Sequence, residues 1–279
     1  MDGSRLELTD LAADCSRCAG LCCVVPAFAR SADFAIDKPA GTPCPNLQPD
    51  TRCGIHTRLR DRGFAGCTVY DCFGAGQQLT QVGFGGRSWQ GSPALARDMF
   101  ATFPVARDLH ELLWFVVAAR DVTTGALRRR LQDSVDALSA HRAAPPEVLR
   151  RLDVDALHAS TNVLLRAASD QARSASPGPR ADHRGADLFG ADLRPADLRG
   201  ASLRGALMIG ADLRRVDLAL ADLTGADLRG ADLRGADLRT ALFVQQAQLE
   251  SARGDDSTAL PPRLTQPAHW ATRRRGPRA

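Results

Sequence analysis

Eight cysteines lie between Cys15 and Cys72, and none occurs in the rest of the chain. They run Cys15-x2-Cys18-x3-Cys22-Cys23, then Cys44-x8-Cys53, then Cys67-x4-Cys72. A CxxC pair puts two thiolates within reach of one ion, and distant cysteines can complete a tetrahedron. All-thiolate ligation suits Zn(II) or an iron–sulfur cluster better than a harder metal. Zn(II) is the expected cofactor and an iron–sulfur cluster the alternative. Clustered thiols without a metal would be an oxidation hazard, although any one buried cysteine can simply be a small hydrophobe. Cys15, Cys18, Cys22 and Cys53 are the leading candidate ligands, followed by Cys44, Cys67 and Cys72. Adjacent residues rarely reach one ion comfortably, so Cys23 is either a core thiol or part of a second site. His56, in a Cys53-x2-His56 spacing, could add an imidazole or lie exposed in solvent.

The segments CSRCAGLCC at 15–23 and Cys44-Pro-Asn-Leu-x5-Cys53-Gly-Ile-His56, followed by Cys67 and Cys72, resemble the bacterial zinc- or iron-chelating cysteine-cluster family. The resemblance covers roughly a quarter of the chain and implies a metal-holding domain. Where that family has Arg-Pro before a later cysteine, this chain has Arg62-Gly63-Phe64, so the local turn is expected to differ.

Other constellations carry less. His110-Glu111-Leu-Leu-Trp114 opens like a metalloprotease helix, but Trp114 stands where the second histidine belongs. Gly86-Arg-Ser88-Trp-Gln-Gly91 is one residue too long for a nucleophile elbow. Gly74-Ala-Gly76 lacks the third glycine of a dinucleotide loop. The stretch from Gly74 to Gly91 reads as a flexible connector, and no catalytic residue is assigned.

The elements that must position the thiols follow from composition and period. The chain has 279 residues, 44% hydrophobic, 24% charged and 5% aromatic, with a net charge of +4. That describes a folded protein and gives no electrostatic case for nucleic acid. The longest apolar run, Leu112 to Ala119, is far short of the roughly 20 residues that cross a bilayer. Met1 to Asp10 has no basic start followed by an apolar stretch, so no secretory signal and a cytoplasmic location are expected. Residues 1–92 read as a Cys-rich metal-binding domain and 93–173 as an α-helical hairpin or bundle. In the latter, Met99, Phe103, Leu109, Leu112, Leu113 and Val116 recur near helical spacing. Thr123 or Thr124 should cap a second helix carrying Leu127, Leu131, Val135 and Leu138. A third helix should start near Pro145-Pro146 and carry Val148, Leu149, Leu152, Leu157, Val163 and Leu164. Residues 174–180 read as a linker.

From Ala181 the period becomes five: ADHRG ADLFG ADLRP ADLRG ASLRG ALMIG ADLRR VDLAL ADLTG ADLRG ADLRG ADLRT ALFVQ. A fixed short period calls for a solenoid in which each repeat buries its apolar face on its neighbours. The pattern is similar to that of the pentapeptide-repeat family. The resemblance implies a right-handed quadrilateral β-helix of about three coils over 181–245, near 4.8 Å apart. Its core is expected to hold Leu188, Leu193, Leu198, Leu203, Met208, Leu213, Leu218, Leu223, Leu228, Leu233, Leu238 and Phe243. Asp and Arg at the alternate positions, Asp222 among them, are read as an outward, mixed-charge surface. Residues 246–270 should cap the open end, with Trp270 over apolar surface, and 271–279 form a disordered basic tail. The fold class is thus multidomain α+β.

For function, a non-enzymatic scaffold binding an unidentified protein partner is the leading expectation. An iron–sulfur redox sensor or enzyme is the alternative. Some pentapeptide-repeat proteins mimic DNA and bind topoisomerase. That role wants a long acidic rod, whereas 181–245 carry ten Asp and nine Arg.

Overall fold

The structure, a computed structural model, describes residues 5–270. The basic tail at 271–279 lies outside the described residues. The chain divides into two compact units, residues 1–168 and 169–279.

The first unit begins with short elements: α1 (Leu21–Val24), α2 (Ala65–Thr68) and α3 (Ala75–Gln78). One-residue antiparallel bridges, Phe28 with Lys38 and Leu47 with Cys53, close its loops. The Gly-rich stretch is not the flexible connector expected. From α3 the chain runs into a π turn over Leu79–Gly83, with Ala75, Leu79 and Phe84 buried. These residues and Leu21 share one core with Met99, Phe103 and Ala106 of α4 (Pro93–Asp121). A domain boundary at residue 92 is therefore absent: this core of the Cys-rich segment is completed by side chains of α4.

Helix α4 starts where Ser92 Oγ accepts from Leu95 N (3.4 Å) and Pro93 fills the first turn, where a missing N–H costs nothing. It is buried on most of its circumference, which marks a central helix. Helix α5 (Gly125–Arg142) buries only a stripe of Leu131, Val135 and Leu138. The expected third helix is two: α6 (Pro146–Leu149) and α7 (Val154–Arg173). Asp153 restarts it by accepting from Ala156 N at 2.9 Å, a capping geometry that competes with continuous helix.

His110 of α4 is 2% exposed, with Nδ1 2.7 Å from the Phe73 carbonyl oxygen. A carbonyl only accepts, so Nδ1 carries the proton and donates. Burial, which outweighs the Phe73 hydrogen bond and is reinforced by the nearby Arg142, depresses the His110 pKa from 6.5 to about 4. Between those values the unfolded chain takes a proton that the folded chain refuses. Stability is thus full above pH 6.5 and falls as pH drops toward 4, by up to about 3 kcal/mol. His110→Gln should flatten that slope in denaturant titrations at stepped pH. An unchanged slope would mean that His110 does not carry it.

In the second unit each coil occupies twenty residues, and parallel bridges join Asp182 to Ser202, Asp187 to Leu207, Asp192 to Asp212 and Asp217 to Asp237. No run of these bridges is long enough to make a strand among the described residues, so the alternation expected of strands is confined to single bridging positions. Gly at the fifth position sits at positive φ in most repeats, for example Gly205 at 66°. Arg215 and Leu220 occupy the same left-handed conformation with side chains, at some strain.

The leucines from Leu193 to Leu238 in the register, with Met208, are buried, and the interleaved alanines line the same interior. Leu188, in the first coil, is only partly buried. Phe243, at φ 60°, is buried as expected but lies outside the solenoid core, which Val244 joins. Beyond it α8 (Gln246–Ser251) and the following segment close the end: Leu249 and Trp270 are buried against the last coil. Arg253 and Ala259 extend the bridging columns of Asp232 and Asp237. Trp270 Nε1 donates to the Ala252 carbonyl at 3.0 Å, and its ring lies over Gly254, where a Cβ would come within 2.3 Å.

The Asp column has a local role that the mixed-charge reading missed. Asp Oδ1 accepts from the backbone N–H two residues on, as in Arg194 N to Asp192 (3.2 Å) and Ala219 N to Asp217 (2.8 Å). Such Asx turns favour Asp wherever the chain must bend. Asp222 departs further: it is fully buried. The end of α7 covers that side, with Ser169 Oγ donating to Asp222 Oδ2 at 2.6 Å and Arg173 to the Gly200 carbonyl at 3.0 Å. The expected linker also packs down, Ser176 lying buried against Gly200.

Candidate metal centre

All eight cysteines are free thiols. The chain brings them together by short, tightly turned elements. Asp14 caps a turn over Cys15–Arg17 by accepting from Ser16 N at 3.0 Å. Gly20, at φ 70°, then turns the chain into α1, which carries Cys22 and Cys23. The carbonyl of Cys23 accepts from Cys44 N (2.9 Å), bringing the second segment beside the first. Cys72 is delivered by the approach to α3, whose first turn is pinned by Ala75 N donating to the Cys72 carbonyl at 2.8 Å.

A cavity of about 610 Å³ is lined by Cys15, Cys18, Cys22, Cys23, Cys53, Cys67 and Cys72, together with His56, Tyr70, Phe28 and Phe34. Cys44 is the buried exception, packed with Cys23, Cys53 and Cys67 around Phe28, Ile55 and Phe64. His56 reaches the cavity wall but is solvent-exposed. All nine sequence-nominated donors are therefore in one region.

Electrostatics there are those of clustered thiols. Burial first, then the neighbouring Cys72 and Cys18, push Cys15 up to about 11. Burial and then Cys23 and Cys44 push Cys67 up to about 12. Cys22 donates its S–H to Cys23, which raises Cys22 and lowers Cys23. Burial also raises Cys18 and Cys72, but backbone N–H groups aimed at their sulfurs oppose it, from Leu21 and Gly20 at one and from Gly76 and Gly74 at the other. Such N–H groups favour thiolate and tune metal–thiolate centres.

As placed, no three His, Cys, Asp or Glu side chains among the described residues converge at ligating geometry. The donor chemistry nevertheless fits a thiophilic metal, and one feature makes room for it. A Cβ on Gly76 would stand 2.6 Å from Cys18 Sγ and 3.9 Å from Cys72 Sγ, so only glycine leaves the space between those sulfurs open. Sequence reasoning missed Gly76, having read it as part of a connector, and missed Lys38, the chain's single lysine, which lies buried over the Phe28 ring.

On the solenoid the Asp and Arg columns pair. Arg194 meets Asp192 (2.7 Å) in its own coil and Asp212 (3.2 Å) in the next, and Arg199 reaches Asp217 (3.1 Å). The Arg side chains hold Asp192, Asp212, Asp227, Asp232 and Asp237 below the ordinary carboxylate range. One side breaks the pattern. Leu207 stands in the bridging column of Asp187 and Asp227 and is 46% exposed, and Phe189, two residues after Asp187, is 70% exposed.

Comparison with known proteins bears on both parts. The family model for pentapeptide repeats matches residues 180–205 and 201–240, in eight copies. It covers the repeats alone, and the N-terminal resemblance to the cysteine-cluster family is not shown by it. The chain is 50% identical over 265 residues to the uncharacterized protein YybG of Bacillus subtilis (strain 168), covering 94% of this chain and 95% of that one. Among solved structures it is similar to HetL, a pentapeptide repeat protein of the cyanobacterium Nostoc sp. involved in heterocyst differentiation regulation. The identity is 27%, the TM-score is 0.13, and the match covers 33% of this chain and 46% of HetL. No helix of the described residues is long and apolar enough to cross a membrane.

Proposed function

We infer, from the premise that this chain belongs to the same family as YybG and carries pentapeptide repeats, that it is a non-enzymatic scaffold for a protein partner. In this reading the repeats form a right-handed, four-sided β-helix. Bridges spaced by twenty residues, falling in four columns, support it. The N-terminal unit is held by thiol-bound metal, with Zn(II) preferred and an iron–sulfur cluster as the alternative. Its support is the gathering of seven thiols on one cavity, with the eighth, Cys44, packed against three of them. The protein acts in the cytoplasm, where reduced thiols persist.

The observation that carries the scaffold reading is the apolar break at Phe189 and Leu207. Much of that surface is self-paired: Arg194, Arg199, Arg214, Arg229, Arg234 and Arg239 sit in salt bridges and Asp carboxylates in turns. The paired carboxylates are held ionised, which suits a recognition surface better than proton transfer. Phe189, at 70% exposure, contributes little to its own fold and offers an aromatic anchor framed by charge, as interface centres do.

The test is a Phe189→Asp, Leu207→Asp double variant expressed at native level. Both positions are exposed, so its melting should stay within about 1 kcal/mol of wild type. A protein crosslinked to wild type and lost from this variant is the expected result. Equal retention by both, or no crosslinked protein with wild type, would sink the reading.

The iron–sulfur redox sensor or enzyme is the second reading. The cavity of about 610 Å³ beside the thiols, walled by Phe28, Phe34 and Tyr70, favours it because it could admit a small molecule. Acid-labile sulfide and a reducible chromophore in anaerobically purified protein would move it ahead.

A further inference from the structure

We propose that the eight thiols form two separate four-thiol metal sites, Cys15, Cys18, Cys22 and Cys72 in one and Cys23, Cys44, Cys53 and Cys67 in the other. The inference rests on the metal-stabilised N-terminal unit proposed above and deepens it, by giving the number of centres and the ligands of each.

Packing separates the sets. Cys18, Cys22 and Cys72 pack with Leu21, Ala75, Leu79 and Phe103 in the core that α4 completes. Cys23, Cys53 and Cys67 pack around buried Cys44 in another core, with Phe28, Ile55, Leu59 and Phe64. A void of about 10 Å³ is lined by all four thiols of the first set and by none of the second. That is roughly the room of one water or one ion. Gly76, bare of a side chain, opens the first set between Cys18 and Cys72.

The sets adjoin at the consecutive Cys22 and Cys23, which pack in the first core and the second respectively. This assigns the adjacent pair: consecutive side chains on a helical turn diverge by about 100°, so they suit two sites better than one.

The second set has its own counter-charge. Lys38 is 3% exposed. Its ammonium donates to the carbonyls of Val24 (2.9 Å), Thr42 (2.9 Å), Pro39 (3.2 Å) and Pro26, and lies 4.7 Å from the Phe28 ring centroid. Carbonyls solvate a cation but do not neutralise it. Phe28, the ring under the ammonium, belongs to the core in which Cys23, Cys44, Cys53 and Cys67 pack. Four thiolates around a divalent ion leave two negative charges, and a caged ammonium beside them offsets one. Uncharged thiols would give that buried cation no such partner.

The test uses the full chain, stripped of metal anaerobically and titrated with Co(II) alone, following sulfur-to-cobalt charge transfer. Wild type should saturate at two equivalents. Cys18→Ser and Cys67→Ser should each saturate at one, and the double variant should bind none. Lys38→Met should leave one ion's affinity unchanged and weaken the other by about 10–100-fold, as removal of an outer-shell partner does. Saturation of wild type at one equivalent would overturn the two-site proposal and leave the metal-stabilised unit standing. No binding at all would overturn both. If the protein as purified holds iron and sulfide, the same halving of iron in each single variant is expected. Where a serine variant fails to fold, the wild-type stoichiometry decides.

Discussion

Leu218→Asp will unfold the solenoid. Leu218 is fully buried and stacks in one column with Leu198 and Leu238, which are likewise almost completely buried. Losing the leucine removes about 1.5–3 kcal/mol of burial. The carboxylate put in its place finds only leucine and alanine around it, and an unpaired buried charge adds several kcal/mol more. The sum exceeds the roughly 4–5 kcal/mol that marks an exceptional point mutation. The loss also spreads, because each coil is stabilised mainly by its neighbours. Hydrogen exchange should show residues 181–245 losing protection together. Asp217→Ala, one residue away, is the control. Asp217 points outward and meets Arg199 at 3.1 Å, an exposed pair worth about 1 kcal/mol or less. Equal loss of protection in the two variants would mean that the inward–outward register is wrong.

Asp222→Ala should also destabilise the second unit, by about 3 kcal/mol, although the sequence places Asp222 among the outward charges. Its carboxylate accepts from Thr224 N (2.9 Å), Thr224 Oγ1 (2.6 Å) and Ser169 Oγ (2.6 Å), all out of contact with water. Hydrogen bonds to a charged group contribute about 1.5–3 kcal/mol, and truncation leaves buried donors unmet. Asp192→Ala, in the same repeat position but exposed, should cost less than about 1 kcal/mol. Thermal melts of the two variants make the comparison. If Asp222→Ala melts with Asp192→Ala, the end of α7 does not hold the solenoid through Ser169.

The same contrast runs through the molecule. A five-residue period was enough to place the interior leucines from Leu193 to Leu238, because each repeat packs on copies of itself twenty residues away. Contacts at one fixed separation leave their mark in a one-dimensional pattern. The pattern held least at its ends, where the repetition stops: Leu188 is only partly buried, and Phe243, though buried, leaves the solenoid core to Val244 as the cap begins.

The cysteines were legible as donors from residue type and spacing, since thiol chemistry resides in the side chain itself. Their grouping was not. Cys22 and Cys23 are neighbours in the chain but pack in different cores, and Cys72 joins Cys15 across more than fifty residues. Gly76 and Lys38 have no local signal of their roles, which consist of what surrounds them. What the sequence determined by itself was therefore the periodic and the chemical: the repeat, its register and the thiol inventory. Only the tertiary structure decided which thiols share a core, that α4 completes one core of the Cys-rich segment, and that Ser169 meets the buried Asp222. Those contacts join segments with no common period, so no spacing rule along the chain encodes them.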